Sequence, residues 1–285
     1  MFAITGITGK VGGQLANELL LQGHKLRAVL RDAAKAPAWS ARGCEVALAA
    51  MDDAEALTAA FTGAEAVFVL LPSNFDPLPG FTEVARLRTA LVQALRAAAV
   101  PRVVFLSTVG AQATPENLLT QLQSVEQAFA TLPMPVAFLR AAWFMENAAF
   151  DIDGARRDGL ISSFLQPAHK AIPMVATADI ARVAAELLQE EWTGVRIVEL
   201  EGPALVSPDT LAATLAQVLQ RDVVVQAVPR AGWEALFRAQ GMAHPGPRMR
   251  MLDGFNEGWI RFEGATRKGT TTLETVLQNL ASLPS

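Results

Sequence analysis

The chain has 285 residues, 51% of them hydrophobic and 18% charged, with a formal net charge of −4. That balance excludes a disordered chain, and its mild acidity offers no electrostatic footprint for nucleic acid or an anionic membrane surface. Cys44 is the only cysteine, which excludes an internal disulfide and a cysteine-built metal centre, and tyrosine is absent altogether. The length is generous for one core, so one extended domain or two closely packed lobes is expected.

Residues 1–4 read as a short apolar strand. A strand beginning at Met1 leaves no room for a leader peptide, and no apolar run reaches membrane-spanning length, so a soluble, cytoplasmic setting is expected. Directly after it, Gly6-Ile7-Thr8-Gly9-Lys10-Val11-Gly12 spaces three glycines at G-x-x-G-x-x-G, and residues 11–21 carry a helical pattern. A strand feeding a glycine turn that opens a helix is a dinucleotide-phosphate cradle. Glycine permits the tight turn and close backbone approach, and the helix N-terminus offers free N–H groups and the positive end of its dipole.

Strands then follow at 26–30 and 45–48, a helix at 53–61, and an uninterrupted apolar run at 66–71 that reads as a strand covered on both faces. A helix over 81–99, a strand at 102–106, a helix over 116–132 and a strand at 136–139 complete the first half. Six strands separated by helices predict an α/β doubly wound parallel sheet. Beyond residue 145 the pattern is less regular. Helices are expected at 179–188, 208–220, 233–241 and 271–283, and strands at 196–200 and 223–228, while 242–269 shows no clear period. The Pro/Gly cluster around Pro245 reads as the mobile stretch. Residues 1–145 with 173–201 are expected to bind the nucleotide, and 146–172 with 202–285 to form a smaller substrate-binding lobe.

The second strand ends Val29-Leu30-Arg31-Asp32. A ribose 2′-hydroxyl is usually held by an acid at this point. Arg31, with Lys35 a turn further on, favours a 2′-phosphate and hence NADP(H); if Asp32 faces the ribose instead, NAD(H) returns, and both cations also fit solvated loop positions. His24 suits a helix C-terminus. His169 and His244 stand in loops without a partner at ligand spacing, so no metal is expected. Cys44 reads as a core residue, and Met249 and Met251 fit either a cleft or a core.

These motifs together resemble the NmrA-like group of atypical short-chain dehydrogenase/reductases, which includes NADPH-dependent quinone and triphenylmethane-dye reductases. The resemblance rests on the glycine segment and Arg31, on Leu70-Leu71-Pro72-Ser73, and on Leu106-Ser107-Thr108-Val109-Gly110-Ala111. It extends to Trp143-Phe144-Met145-Glu146-Asn147, to Pro173-Met174-Val175 through Asp179-Ile180-Ala181, and to Gly269-Thr270-Thr271-Thr272. It implies a Rossmann domain in which Gly6, Thr8, Gly9, Lys10, Val11 and Gly12 cradle the pyrophosphate, with Arg31 and Lys35 at the 2′-phosphate. Leu71, Pro72 and Ser73 would border the inner ribose and Ser107 would lie beneath the nicotinamide. Trp143, Phe144 and Asn147 would line the acceptor pocket, although core packing between lobes also fits the two aromatics.

Three departures bear on chemistry. With no tyrosine, and no lysine between Lys35 and Lys170, the Tyr-x-x-x-Lys proton relay of typical short-chain dehydrogenases is impossible. Glu126 is preceded by Leu122-Gln123-Ser124-Val125, where relatives place a His or Lys. Ala50 replaces an adenine-contacting Asp, for which Asp52 is the substitute. The expected function is hydride transfer from NADPH to a quinone-like small-molecule acceptor, with Gln123 and Asn147 as hydrogen-bond candidates. The alternatives are an NADP(H)-binding sensor without turnover, working through a regulatory protein partner, and a structural protein on a relict nucleotide fold. A homodimer is also open.

Overall fold

The computed structural model describes residues 1–283. From the N-terminus, β1 (Phe2–Ile4), α1 (Lys10–Leu21), β2 (Leu26–Leu30), α2 (Ala36–Ser40) and β3 (Glu45–Leu48) are followed by α3 (Ala54–Phe61), β4 (Ala66–Val69) and α4 (Thr82–Ala97). Next come β5 (Val103–Thr108), α5 (Gln123–Phe129), β6 (Val136–Ala141), β7 (Trp143–Phe144), α6 (Ile152–Asp158), β8 (Leu160–Ser163), β9 (Ile172–Val175), α7 (Thr177–Gln189) and β10 (Val195–Glu201). The remainder is β11 (Leu205–Val206), α8 (Pro208–Leu219), β12 (Val224–Ala227), α9 (Trp233–Ala239), α10 (Gly246–Glu257), β13 (Arg267–Lys268) and α11 (Leu273–Ser282).

Eight strands form one parallel sheet in the order β13-β10-β6-β5-β4-β1-β2-β3. Alternate residues of each inner strand face opposite layers, and both layers are covered. Phe68, Val104 and Leu106 meet Leu15, Leu19, Ile180 and Leu187 of α1 and α7. Val67, Val103 and Phe105 meet Leu57, Leu91 and Phe129 of α3, α4 and α5. This double covering is why β4 and β5 read as continuous apolar runs.

The chain reverses its direction of travel across the sheet between β1 and β4, the switch point where a crevice opens at the strands' carboxyl ends. Thr5, fully buried, stitches that point: its hydroxyl accepts from the Leu70 N–H at 2.8 Å and lies 3.3 Å from the Phe68 and Leu70 carbonyls.

A third core, around Leu215, Trp233, Phe237, Phe255 and Leu277, lies among α6, α8, α9, α10 and α11 with the small β7-β9-β11 and β8-β12 sheets. Two carboxylates join it to the main sheet. Glu146 accepts from the Thr177 N–H at 2.8 Å and so caps α7, where a negative charge complements the helix dipole. Asp179 accepts from the Thr271 N–H at 2.9 Å and from Arg182 at 3.0 Å. Burial alone would raise the Asp179 carboxyl, but the Thr271 N–H and Arg182 outweigh it and hold it below the usual carboxylate value. Gly269 packs so closely on Asp179 that an added Cβ would stand 2.3 Å from Oδ2.

Two expectations are corrected. Residues 242–269 are not without period: they contain α10, whose Met251, Leu252 and Phe255 are buried. The segment 116–132 is not one helix. Asn117 accepts from the Leu119 N–H at 2.9 Å, and a tight 3-10 turn, Leu118–Leu122, precedes α5. The strand expected at 223–228 is present as β12, which pairs with β8.

Candidate active site

The glycine segment forms a close-packed cradle at the β1 exit. Gly6 has φ +63°, and a Cβ there would lie 2.7 Å from the Leu70 side chain. Gly12 sits so tightly on the turn that its Cβ would come within 2.3 Å of the Gly6 carbonyl oxygen. Gly9 donates to that same carbonyl at 2.9 Å and begins α1 without a side-chain cap, and the helix has no acidic residue in its first turn. The N-terminal N–H groups of α1 are therefore available to an anion. Thr8 and Lys10 are exposed beside them, while the Val11 side chain is buried in the core, so Val11 can offer only its backbone.

Next to the cradle an open groove of about 630 Å³ is lined by Thr8, Lys10, Gln14, Lys35, Trp39 and Arg42. Gln14 Oε1 is buried without a hydrogen-bond partner. Arg31 and Lys35 are exposed at the β2 exit, whereas Asp32 turns back to accept from the Ala34 N–H at 2.9 Å. Asp52 is exposed after β3.

Strands β4, β5 and β6 are neighbours in the sheet, so the residues at their carboxyl ends lie close together. Leu71 is buried, and Pro72 and Ser73 are exposed after β4. Ser107 on β5 is buried and donates to Glu126 Oε1 at 2.5 Å. Arg140 on β6 grips both oxygens of Glu126, at 3.0 and 2.7 Å, donates to Glu263 at 2.7 Å, and lies 3.6 Å from Glu199. Gln123 is half-buried at the start of α5. Trp143 stacks edge-on against Phe255 at 5.2 Å, while Phe144 packs against the main core and Asn147 is exposed.

The stretch 242–261 is tied to the loops that follow β4 and β5. Asp76, in the loop after β4, accepts from the N–H groups of Ala243 at 2.7 Å and His244 at 2.6 Å. At the other end Gln112 donates to the Arg261 carbonyl at 2.8 Å, and a Cβ on Gly110 would meet Ile260 at 2.8 Å.

Comparison with known proteins matches the model of the NmrA-like family over residues 1–244. The chain belongs to the NmrA-like family. It is 27% identical over 245 residues to quinone oxidoreductase 2 of Escherichia coli strain K12, covering 85% of this chain and 82% of that one. It is 28% identical over 261 residues to the NAD(P)H azoreductase of Xenophilus azovorans, covering 90% and 85%. The crystal structure of an NADPH-dependent quinone oxidoreductase from Escherichia coli, complexed with NADPH, superposes with TM-score 0.83 at 25% identity, covering 98% of this chain and 99% of that one.

In this NmrA-like chain two sequence signatures turn out to be structural joints. The Glu of Phe144-Met145-Glu146-Asn147 caps α7, and the Asp of Asp179-Ile180-Ala181 anchors the Gly269–Thr271 return. Among the described residues no cluster of His, Cys, Asp or Glu is arranged to hold a metal ion. Sequence reasoning missed Arg140. An arginine amid the apolar run Val136–Ala141 was its only signal, since a guanidinium in a covered strand requires buried acids around it. The helix α10 was missed as well.

Proposed function

We propose that this chain is an NADPH-dependent reductase that passes hydride to a quinone-like or otherwise conjugated small molecule. The observation that carries the reading is the glycine cradle with its uncapped α1 N-terminus, set at the switch point of the sheet beside the carboxyl end of β4. The turn is also sterically committed to glycine, because a side chain at Gly12 would collide with the turn itself and one at Gly6 with Leu70. A bound nicotinamide supplies a hydride, and one proton from water completes reduction of a quinone to a hydroquinone.

In this reading the N–H groups around Gly9, Lys10 and Val11 hold the pyrophosphate, and Arg31 with Lys35 holds the 2′-phosphate. The Asp32 carboxylate is engaged in its own turn, which favours NADPH over NADH. Leu71, Pro72 and Ser73 border the ribose, and Ser107, oriented by Glu126, lies under the nicotinamide. Trp143 and Phe144 form the acceptor wall, with Gln123 and Asn147 as hydrogen-bonding groups. Residues 1–145 with 173–201 form the nucleotide-binding part, and the rest carries the acceptor. The names of the relatives, a quinone oxidoreductase and an azoreductase, support a conjugated acceptor.

The test is the loss of NADPH absorbance in the presence of small quinones, with NADH in parallel. Oxidation that depends on the protein and prefers NADPH is the expected result. Tight NADPH binding without oxidation across quinones, azo dyes and enones would instead make the protein a dinucleotide sensor.

A further inference from the structure

Arg248, half-buried on α10, is held by aromatic rings rather than by an acid. Arg140, Arg182, Arg196 and Arg267 each reach a carboxylate. Arg248 stacks over Phe237 at 4.6 Å and Phe75 at 5.8 Å, and among the described residues its one polar contact is Met242 Sδ at 3.7 Å, a weak acceptor. Among the described residues no acid lies within ion-pair distance of it. Burial pulls its guanidinium below the usual arginine value, with no neighbouring acid to oppose the shift. An arginine nevertheless stays protonated in proteins, and cation–π contacts return only part of the hydration it has lost. Its planar fork of N–H donors is left without a matching anion.

The position of this cation relative to the strand ends follows from the fold. Phe75 lies two residues beyond Ser73, at the β4 exit, and is 56% exposed. Phe255, seven residues along α10 from Arg248, touches Trp143 at the β6 exit. Residues i and i+7 share one helix face and are separated by roughly 10 Å along the axis. Strands β4 and β6 flank β5, and two strand spacings also amount to roughly 10 Å. Helix α10 therefore runs from a cation beside the chain after β4 to an edge-stacked aromatic pair beside the end of β6.

We propose that Arg248 determines specificity by receiving an anionic substituent (sulfonate, carboxylate or phosphate) on a flat aromatic acceptor. This rests on the reductase reading and narrows it: the acceptors are acidic two- or three-ring compounds, aligned with the charged end toward Phe75 and the rings toward Trp143.

Two measurements test it. With NADPH as donor, kcat/KM is compared for 1,4-naphthoquinone-2-sulfonate and for neutral 2-methyl-1,4-naphthoquinone, and the ratio of the two is followed. Replacing a charge-assisted contact by an apolar side chain should lower that ratio at least about 10-fold in Arg248→Met, chiefly through KM, with partial recovery in Arg248→Lys. An unchanged ratio overturns the proposal. Independently of turnover, calorimetry on the NADP⁺-saturated protein compares naphthalene-2-sulfonate with the neutral naphthalene-2-sulfonamide. The wild type should prefer the sulfonate, and Arg248→Met should lose the preference; equal affinities in the wild type overturn it. Arg248-dependent sulfonate binding with no NADPH oxidation by either quinone would retain the anion site and reject the reductase. Reduction of both quinones without a preference that depends on Arg248 would do the reverse.

Discussion

Arg31 and Asp32 are adjacent, and their division of labour decides which dinucleotide is favoured. Asp32 spends its carboxylate on the Ala34 N–H, so the exposed guanidinium beside it is the group free to meet a phosphate. Arg31→Ala should therefore weaken NADPH binding about 10- to 100-fold, the worth of a charge-assisted contact, and leave NADH nearly unchanged. Titrating both cofactors by fluorescence measures this directly; equal losses would remove Arg31 from the site. A second residue, Asp151, stands immediately before α6. Burial alone pushes its carboxyl up to about 6 from an ordinary value of 3.8. The folded state thus holds this proton more tightly than the unfolded chain, so the residue's cost to stability is absent below about pH 4, grows as pH rises, and levels off above about pH 6. Asp151→Asn should stabilise the protein by up to roughly 3 kcal/mol at pH 7 and by almost nothing at pH 4. Urea unfolding at the two pH values would show a widening gap between variant and wild type.

At the scale of elements, the stretch 242–261 is held at one end by a single carboxylate. Asp76 accepts two backbone N–H groups from 243–244, and those bonds, Ala243 foremost, keep its carboxyl below the usual range. Asp76→Ala should release the front of α10 and raise the acceptor KM several-fold while NADPH affinity is preserved, because the cradle lies on separate elements. Faster hydrogen exchange at 242–250 in the variant would accompany it. Unaltered exchange there would show that the stretch is held from elsewhere. The same region shows why the sequence was legible in some elements and not in others. Strands β1, β2, β4, β5 and β6 announce themselves because both faces are covered, and the cradle because its glycines are needed at fixed spacing. By contrast α10 carries two glycines, Gly246 and Gly254, which weaken its helical signal, although Arg248 and Arg250 are good helix formers and Pro247 stands in the first turn where proline is tolerated. Its stability comes from tertiary packing of Met251, Leu252 and Phe255, and Gly254 is needed because Trp259 would touch a Cβ at 2.6 Å. Strands β7, β11 and β13, two residues each, are defined only by partners distant in sequence.

Across the whole molecule, Arg140 is where the layers meet. It projects from β6 to Glu126 of α5 on one side and to Glu199 of β10 and Glu263 of the 261–266 loop on the other, with only 5% of its side chain exposed. Burial alone would lower its guanidinium, but Glu126 and Glu263 hold it above the ordinary arginine value. Arg140→Met keeps most of the apolar volume but strands Glu126 and Glu199, both buried, without their cation. Breaking a buried ion pair from one side typically costs about 3–5 kcal/mol. Glu263, 57% exposed, is a solvated partner, and its loss as Glu263→Gln should cost under about 1 kcal/mol. Urea midpoints at pH 7 rank the two variants, and the contrast between them is the informative quantity. A large loss for Arg140→Met with a small one for Glu263→Gln identifies the buried pairs as the joint between layers. Similar losses would place the joint in the loop instead. Because Glu126 also orients Ser107, Arg140→Met should lower NADPH affinity even at low temperature, where the variant stays folded, whereas Glu263→Gln should leave that affinity intact.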